Sequence, residues 1–226
     1  MRTAWRTADA RLVRDILAIA AACCVIGVSF GAIAVASGLP AWAVVTMSVL
    51  VFAGGAQFMA VGMLAAGNPL AAVLGGLLLN ARHLPFGLVV ADAIGPSWRA
   101  RLVGSHLMVD EAVAFALAQD SPERRRAAYW LTGGVLFVAW NSGSLAGIAL
   151  GEAAGDPARY GLDAAFPAGL VALILPSLRD PTTRRAVLAG AAVAVLAARF
   201  LPAGVPVLLA VFGVVLALPA RKEVDA

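Results

Sequence analysis

Four groups of polar residues interrupt an otherwise apolar sequence, and each carries side chains able to bind or move charge. Phe52-Ala53-Gly54-Gly55-Ala56-Gln57-Phe58 places an amide just after two adjacent glycines. Glycine weakens a helix by about 1 kcal/mol relative to alanine. The spacing therefore predicts a broken helix whose freed N–H and C=O groups, with Gln57 beside them, hold a ligand. A tolerated Gly54-Gly55 pair, with Gln57 bonded to a neighbouring helix, is the alternative. Asn80-Ala81-Arg82-His83-Leu84-Pro85 is the most polar of the groups. Here Arg82 can take a carboxylate by paired hydrogen bonds, Asn80 lies beside it, His83 titrates near neutral pH and suits a proton relay, and Pro85 predicts a kink or an interruption. Arg82 snorkelling to an interface is the competing reading. In Ser105-His106-Leu107-Met108-Val109-Asp110-Glu111, one continuous helix would put His106 and Asp110 on the same face, with Glu111 adjacent. That pairing can pass a proton or hold an ammonium group, and an amphipathic interfacial helix is the alternative. Two such residues without further ligands do not make a metal site. The last group joins Trp140-Asn141-Ser142 to Asp163-Ala164-Ala165-Phe166-Pro167, where Asp163 is a candidate ammonium ligand or a helix N-cap and Pro167 marks a break or a late helix start.

What must position these residues follows from composition. The chain has 226 residues, 62% hydrophobic and 13% charged, with a mean hydropathy of +0.89, against roughly 45 to 50% apolar and about 25% charged in an average soluble domain. One buried core cannot absorb that excess, disorder is excluded by the apolar content, and two cysteines cannot build a disulfide scaffold. Eight apolar stretches are separated by short turns such as Gly38-Leu39-Pro40, Gly67-Asn68-Pro69, Gly95-Pro96 and Asp180-Pro181. Each stretch approaches the length of about 20 residues needed to cross a bilayer. The expected fold is all-α: one polytopic transmembrane bundle over residues 1–226 with about seven or eight membrane segments, some of them broken. A basic N-terminal stretch (1–15) precedes it and a short tail (219–226) follows. The first apolar run is too long for a signal-peptide core, and Cys23 and Cys24, neighbours on one helix, read as small buried hydrophobes.

Basic residues remain on the cytoplasmic side of short loops. If all eight stretches cross, with both termini cytoplasmic, 12 of the 17 Lys and Arg fall inside, among them Arg11, Arg14 and Arg124 to Arg126, while Arg99, Arg101 and Arg159 fall outside. The same parity holds if the third and fourth stretches are both re-entrant. The net charge of +4 belongs to these loops, and nothing in the chain resembles a solvated nucleic-acid-binding domain.

Gly27 and Gly31 share their spacing with Gly143 and Gly147, which predicts close helix packing, within the bundle or against a second subunit. Ala81-Arg82-His83-Leu84-Pro85 matches Ala198-Arg199-Phe200-Leu201-Pro202 at nearly the same offset, about half the chain. An internal repeat is therefore expected.

Taken in order, Gly27-Val28-Ser29-Phe30-Gly31, Phe52 to Phe58, Asn80-Ala81-Arg82-His83-Leu84, Asp110-Glu111 and Leu162-Asp163-Ala164-Ala165-Phe166-Pro167-Ala168 resemble the AzlC family, the large subunit of bacterial branched-chain amino acid exporters. The resemblance implies a multi-pass protein of the bacterial inner membrane. It would export valine, leucine and isoleucine, with methionine a further candidate, using the proton motive force and a small hydrophobic AzlD-like subunit. It also implies no cofactor. On this reading Gly54, Gly55, Gln57, Asn80, Arg82, Asp163 and Pro167 bind substrate, and His83, His106, Asp110 and Glu111 couple protons. Family members are described with about seven spans. No Walker motif occurs and the only lysine is Lys222, so this chain carries no ATPase site. An enzyme would have only Ser142 with His83 or His106 as nucleophile and base. Export or channelling of another small zwitterionic or apolar metabolite, and a non-transporting assembly role, are the remaining alternatives.

Overall fold

A computed structural model describes residues 10–154, 161, 164, 168, 171, 174–202 and 205–217. Asp163, Pro167 and Arg159 lie outside them. The described residues are helical, with no strand among them, as the composition predicts: α1 (Ala10–Ala36), α2 (Ala41–Leu50), α3 (Gly54–Ala65), α4 (Pro69–Asn80), α5 (His83–Val89), α6 (Ala91–Ile94), α7 (Trp98–His106), α8 (Asp110–Leu117), α9 (Pro122–Ala154), α10 (Pro181–Ala198), α11 (Val205–Leu209) and α12 (Phe212–Ala217). Ala10–Ala36, Pro69–Val89 and Pro122–Ala153 are long and apolar enough to cross a membrane. Leu17, Leu70, Leu77, Leu88 and Val195 are each more than half exposed, an apolar outer surface suited to lipid.

The chain gathers into two compact units, one of residues 1–58 with 79–166, the other of 59–78 with 167–226. In the first, α1 and α9 form a long parallel seam. A Cβ added at Gly27 would meet Trp140 O at 2.7 Å and Gly143 Cα at 3.3 Å, and one added at Gly143, Gly147 or Gly151 would run into the backbone of Cys24, Val28 or Ala32 in turn. The regular advance along both helices fixes their parallel direction. The glycine spacing thus serves packing inside the chain, where the absence of side chains lets two backbones touch.

Against this seam, the stretch from Trp98 to Ala118 does not cross. Asp92 Oδ2 lies 3.2 Å from Arg125 Nη1, and Arg125 Nη2 donates to Val89 O at 3.3 Å, so the α5–α6 end sits level with the start of α9. From there α7 climbs along α9, with Tyr129 Oη donating to Gly104 O at 2.7 Å and Leu107 lying against Gly133. Returning, α8 buries Ala112, Val113 and Ala116 in the cluster around Tyr129, and Gln119 Oε1 accepts from Arg124 Nε at 3.3 Å. The tip reaches roughly 16 Å up α9 from Pro122, at 1.5 Å per residue, about half of a ~30 Å hydrocarbon layer. Arg99 and Arg101 therefore belong to the same end as Arg124 to Arg126. This corrects the placement that follows from counting eight crossings.

The second apolar stretch also reverses. Ser48 Oγ donates to Asn141 Oδ1 at 2.9 Å, and Phe52 packs on Phe137 with ring centroids 5.0 Å apart, so α2 descends along α9. Then α3 climbs again: Gly54 meets the Trp140 ring, and Phe58 stacks edge-on with Phe30 at 5.6 Å, beside the turn where Gly31 meets Ile148. Two helical hairpins therefore enter from opposite ends of α9, and their tips meet near Phe137.

In the other unit, Met63 packs with Ala71, Ala72 and Met59, joining α3 to α4. Gly190 of α10 packs against Ala210 and Gly213. Asp180 caps α10, accepting the Thr183 N–H at 2.6 Å, which holds its carboxyl below the usual value. Helix α10 stops at Ala198 before a turn at Arg199, and α4 stops at Asn80 before a turn at Ala81-Arg82.

Two outcomes test this arrangement. Gly143→Val should lower stability by about 1 to 3 kcal/mol, the cost of overpacking, measured by thermal unfolding in detergent. With Cys23 and Cys24 replaced, single cysteines at Ser97 and Ser121 should react with a membrane-impermeant thiol reagent from the same side of the membrane; labelling from opposite sides would restore the crossing.

Candidate functional site

Three interruptions converge in the first unit, each with its own local cause. Pro85 has no N–H for the Ala81 carbonyl, which instead accepts Leu84 N–H at 3.1 Å, and the helix breaks at Ala81-Arg82. Between α2 and α3 the break falls at Val51-Phe52-Ala53, just before the two glycines, with Phe52 at φ +42°. Gly54 and Gly55 open α3, where Gly54 makes room for Trp140, whose Cη2 would stand 3.0 Å from an added Cβ. Gln57 folds back over this start: it is 1% exposed, and its Oε1 accepts Ala53 N–H at 3.1 Å. Between α7 and α8, Val109 is extended (φ −129°, ψ 160°), and α8 begins with Asp110 and Glu111 in its first turn. Acids at that position match the helix dipole.

The interruptions border a half-open cavity of about 140 Å³ lined by Val51, Phe52, Ala53, Asn80, His83, Ser105, His106 and Met108, room for several water molecules at ~30 Å³ each. His83 Nδ1 lies 2.9 Å from Asn80 O, and Asn80 Oδ1 is buried without a partner. His106 stacks against Phe137 (5.6 Å) and Phe52 (6.2 Å), so an aromatic cluster joins the two hairpin tips. Beside the cavity, Arg82 Nε approaches Asp110 Oδ1 to 3.1 Å, an ion pair at an angle too poor for a hydrogen bond. Among the described residues no group of three or more His, Cys, Asp or Glu converges as metal ligands would.

The candidates from the sequence thus divide. Asn80, His83 and His106 line the cavity, Gly54, Gly55 and Gln57 stand at the tip that adjoins it, and Arg82 and Asp110 meet beside it with Glu111 next in the chain. His106 and Asp110 do not share a helical face as their spacing suggests, because the chain breaks between them: His106 joins the aromatic cluster and Asp110 turns to Arg82. Asn141 serves structure, tying α2 to α9 through Ser48 and donating to Phe137 O at 2.9 Å. Phe52, Ser105 and Trp140 fall inside the polar groups of the sequence but have no role assigned there, and Phe137 lies outside them. The only signal for the α7–α8 break was the acidic pair Asp110-Glu111, which reads as a helix start.

The AzlC protein family model matches residues 18–154, more than half of the chain and all of the site just described. The chain belongs to the AzlC family. No curated protein and no solved structure matches it. AzlC membership gives a membrane transport role, and a polar cavity between broken helices is the kind of site such proteins use.

The Arg82–Asp110 contact has a testable energetic signature in this AzlC chain. Its side chains are 37% and 43% exposed, so the pair should contribute about 1 kcal/mol or less. Thermal unfolding of Arg82→Gln, Asp110→Asn and the double variant should show the double variant more stable than the sum of the two single losses, since each single change strands one charge. Additive losses would mean that the two groups do not interact.

Proposed function

We propose that this AzlC chain is the large subunit of a secondary transporter in the bacterial inner membrane that exports the branched-chain amino acids valine, leucine and isoleucine, with methionine a further candidate substrate, driven by the proton motive force and assisted by a small hydrophobic AzlD-like subunit. The observation that carries this reading is the cavity where the two hairpin tips and the Asn80–His83 break meet. An amino acid needs acceptors for its ammonium group, donors for its carboxylate and an apolar pocket for its side chain. Acceptors are at hand in Asp110, Glu111 and the Asn80 amide, donors at the helix starts, and apolar surface in Val51, Phe52 and Met108. The imidazoles of His83 and His106 are the groups on the cavity wall able to carry protons, with Asp110 and Glu111 beside them. The family match supports transport itself.

Labelled leucine loaded into cells or proteoliposomes should leave faster when a pH gradient is imposed, and only with the small subunit co-expressed. His83→Ala should remove most of the gradient dependence. Folded, reconstituted protein that leaves leucine inside under every gradient would sink the substrate assignment, and leucine efflux indifferent to the gradient would sink the proton coupling.

A further inference from the structure

The two hairpin tips that meet beside the cavity carry opposite chemistry. Helix α8 starts with Asp110 and Glu111 in its first turn, whereas α3 has no acidic residue there. A helix start carries roughly half a positive charge and N–H groups that the helix itself cannot satisfy. In α3 the N–H groups of Gly54, Gly55 and Ala56 precede the first bond of the helix, Gln57 N–H to Ala53 O at 2.9 Å. Two buried side chains add donors to this end. Gln57 spends its Oε1 on Ala53 N–H, which leaves Nε2 buried over the same turn with no partner. Trp140, 4% exposed and with its ring against Gly54, likewise has Nε1 buried with no partner. A buried donor left unmade costs roughly 1 to 3 kcal/mol, and the free Gln57 amide N–H over a positive helix end, with the Trp140 indole N–H on the ring whose benzo edge packs there, calls for an anion. The first turn adjoins the cavity through Phe52 and Ala53, which line it.

We infer that the start of α3, with Gly54 and Gly55 N–H, Gln57 Nε2 and Trp140 Nε1, is the site for the carboxylate of the transported amino acid, and that Asp110 on the opposite tip receives its ammonium group. The inference rests on the amino acid reading above and goes beyond it by orienting the substrate. It also removes Arg82 from the role its residue type suggests. The Arg82 guanidinium is engaged by Asp110 at 3.1 Å, so its part is to hold that carboxylate until an ammonium group replaces it. A substrate so bound bridges the two tips, its carboxylate on the first hairpin and its ammonium on the second.

Binding to the full chain with its small subunit, purified in detergent, separates the ends of the ligand. The probes are leucine, leucinamide, which lacks the carboxylate charge, and 4-methylpentanoate, which lacks the ammonium. Gln57→Glu places a competing carboxylate at the α3 start, and Trp140→Phe deletes one donor while keeping the ring. Both variants should weaken leucine and 4-methylpentanoate roughly tenfold or more, the loss of a charge-assisted hydrogen bond, while changing leucinamide little, which also reports that the variants are folded. Asp110→Asn should weaken leucine and leucinamide but spare 4-methylpentanoate. Leucine affinity unchanged in Gln57→Glu and Trp140→Phe but lost in Arg82→Gln would overturn the site and leave the export reading standing. Wild-type protein that binds 4-methylpentanoate in a Gln57-dependent way, but no amino acid, would uphold the anion site and overturn the export reading. Binding of none of the three probes would overturn both.

Discussion

The contact between the backbones of α1 and α9 sets the geometry of the first unit. Lipid offers helices no hydrophobic reason to associate, so the seam depends on close approach and dispersion. Gly27, Gly31, Gly143, Gly147 and Gly151 supply the approach, and together they lock the two helices parallel and in one register. That register is the scale on which the other elements are placed. Ser48 and Phe52 read their depth from Asn141 and Phe137, and Gly104 and Leu107 read theirs from Tyr129 and Gly133. Without a fixed α9, nothing would hold the two hairpin tips at a common level.

Ending helices in the middle of a membrane leaves backbone groups that hydrocarbon cannot solvate, and such ends persist only where protein or a polar cavity satisfies them. This chain handles each end separately. Gln57 covers Ala53 N–H, Leu84 N–H takes the carbonyl stranded by Pro85, and the dipole of α8 is met by Asp110 and Glu111. Asn80, His83, Ser105 and His106 line the cavity at these ends, so the same breaks that cost backbone bonds create the polar site. Hairpins entering from opposite ends of α9 thus bring their tips together at that site.

Several features of this site were legible from residue types. The apolar excess dictated membrane helices, Pro85 located the break at Ala81-Arg82 through its missing N–H, and the Gly-Gly pair lay within a residue or two of the break at Phe52. Glycines at four-residue spacing marked a helix seam but not its partner, because spacing describes one helix surface and says nothing of what covers it. The pairing of His106 with Asp110 misled, since an i, i+4 relation holds only while the helix is continuous, and no glycine or proline announces the break between them.

The sequence by itself determined the membrane environment, the all-helical fold and the inventory of intramembrane polar groups, since these follow from local hydropathy and backbone chemistry. Tertiary structure alone decided that Leu102 to Ala118 turns back, that Arg99 and Arg101 share an end with Arg125, that Arg82 is taken by Asp110, and that Trp140 lies against Gly54. All four depend on contacts between residues far apart in the chain, where depth in the membrane is set by packing against α9 and not by the length of any one apolar run.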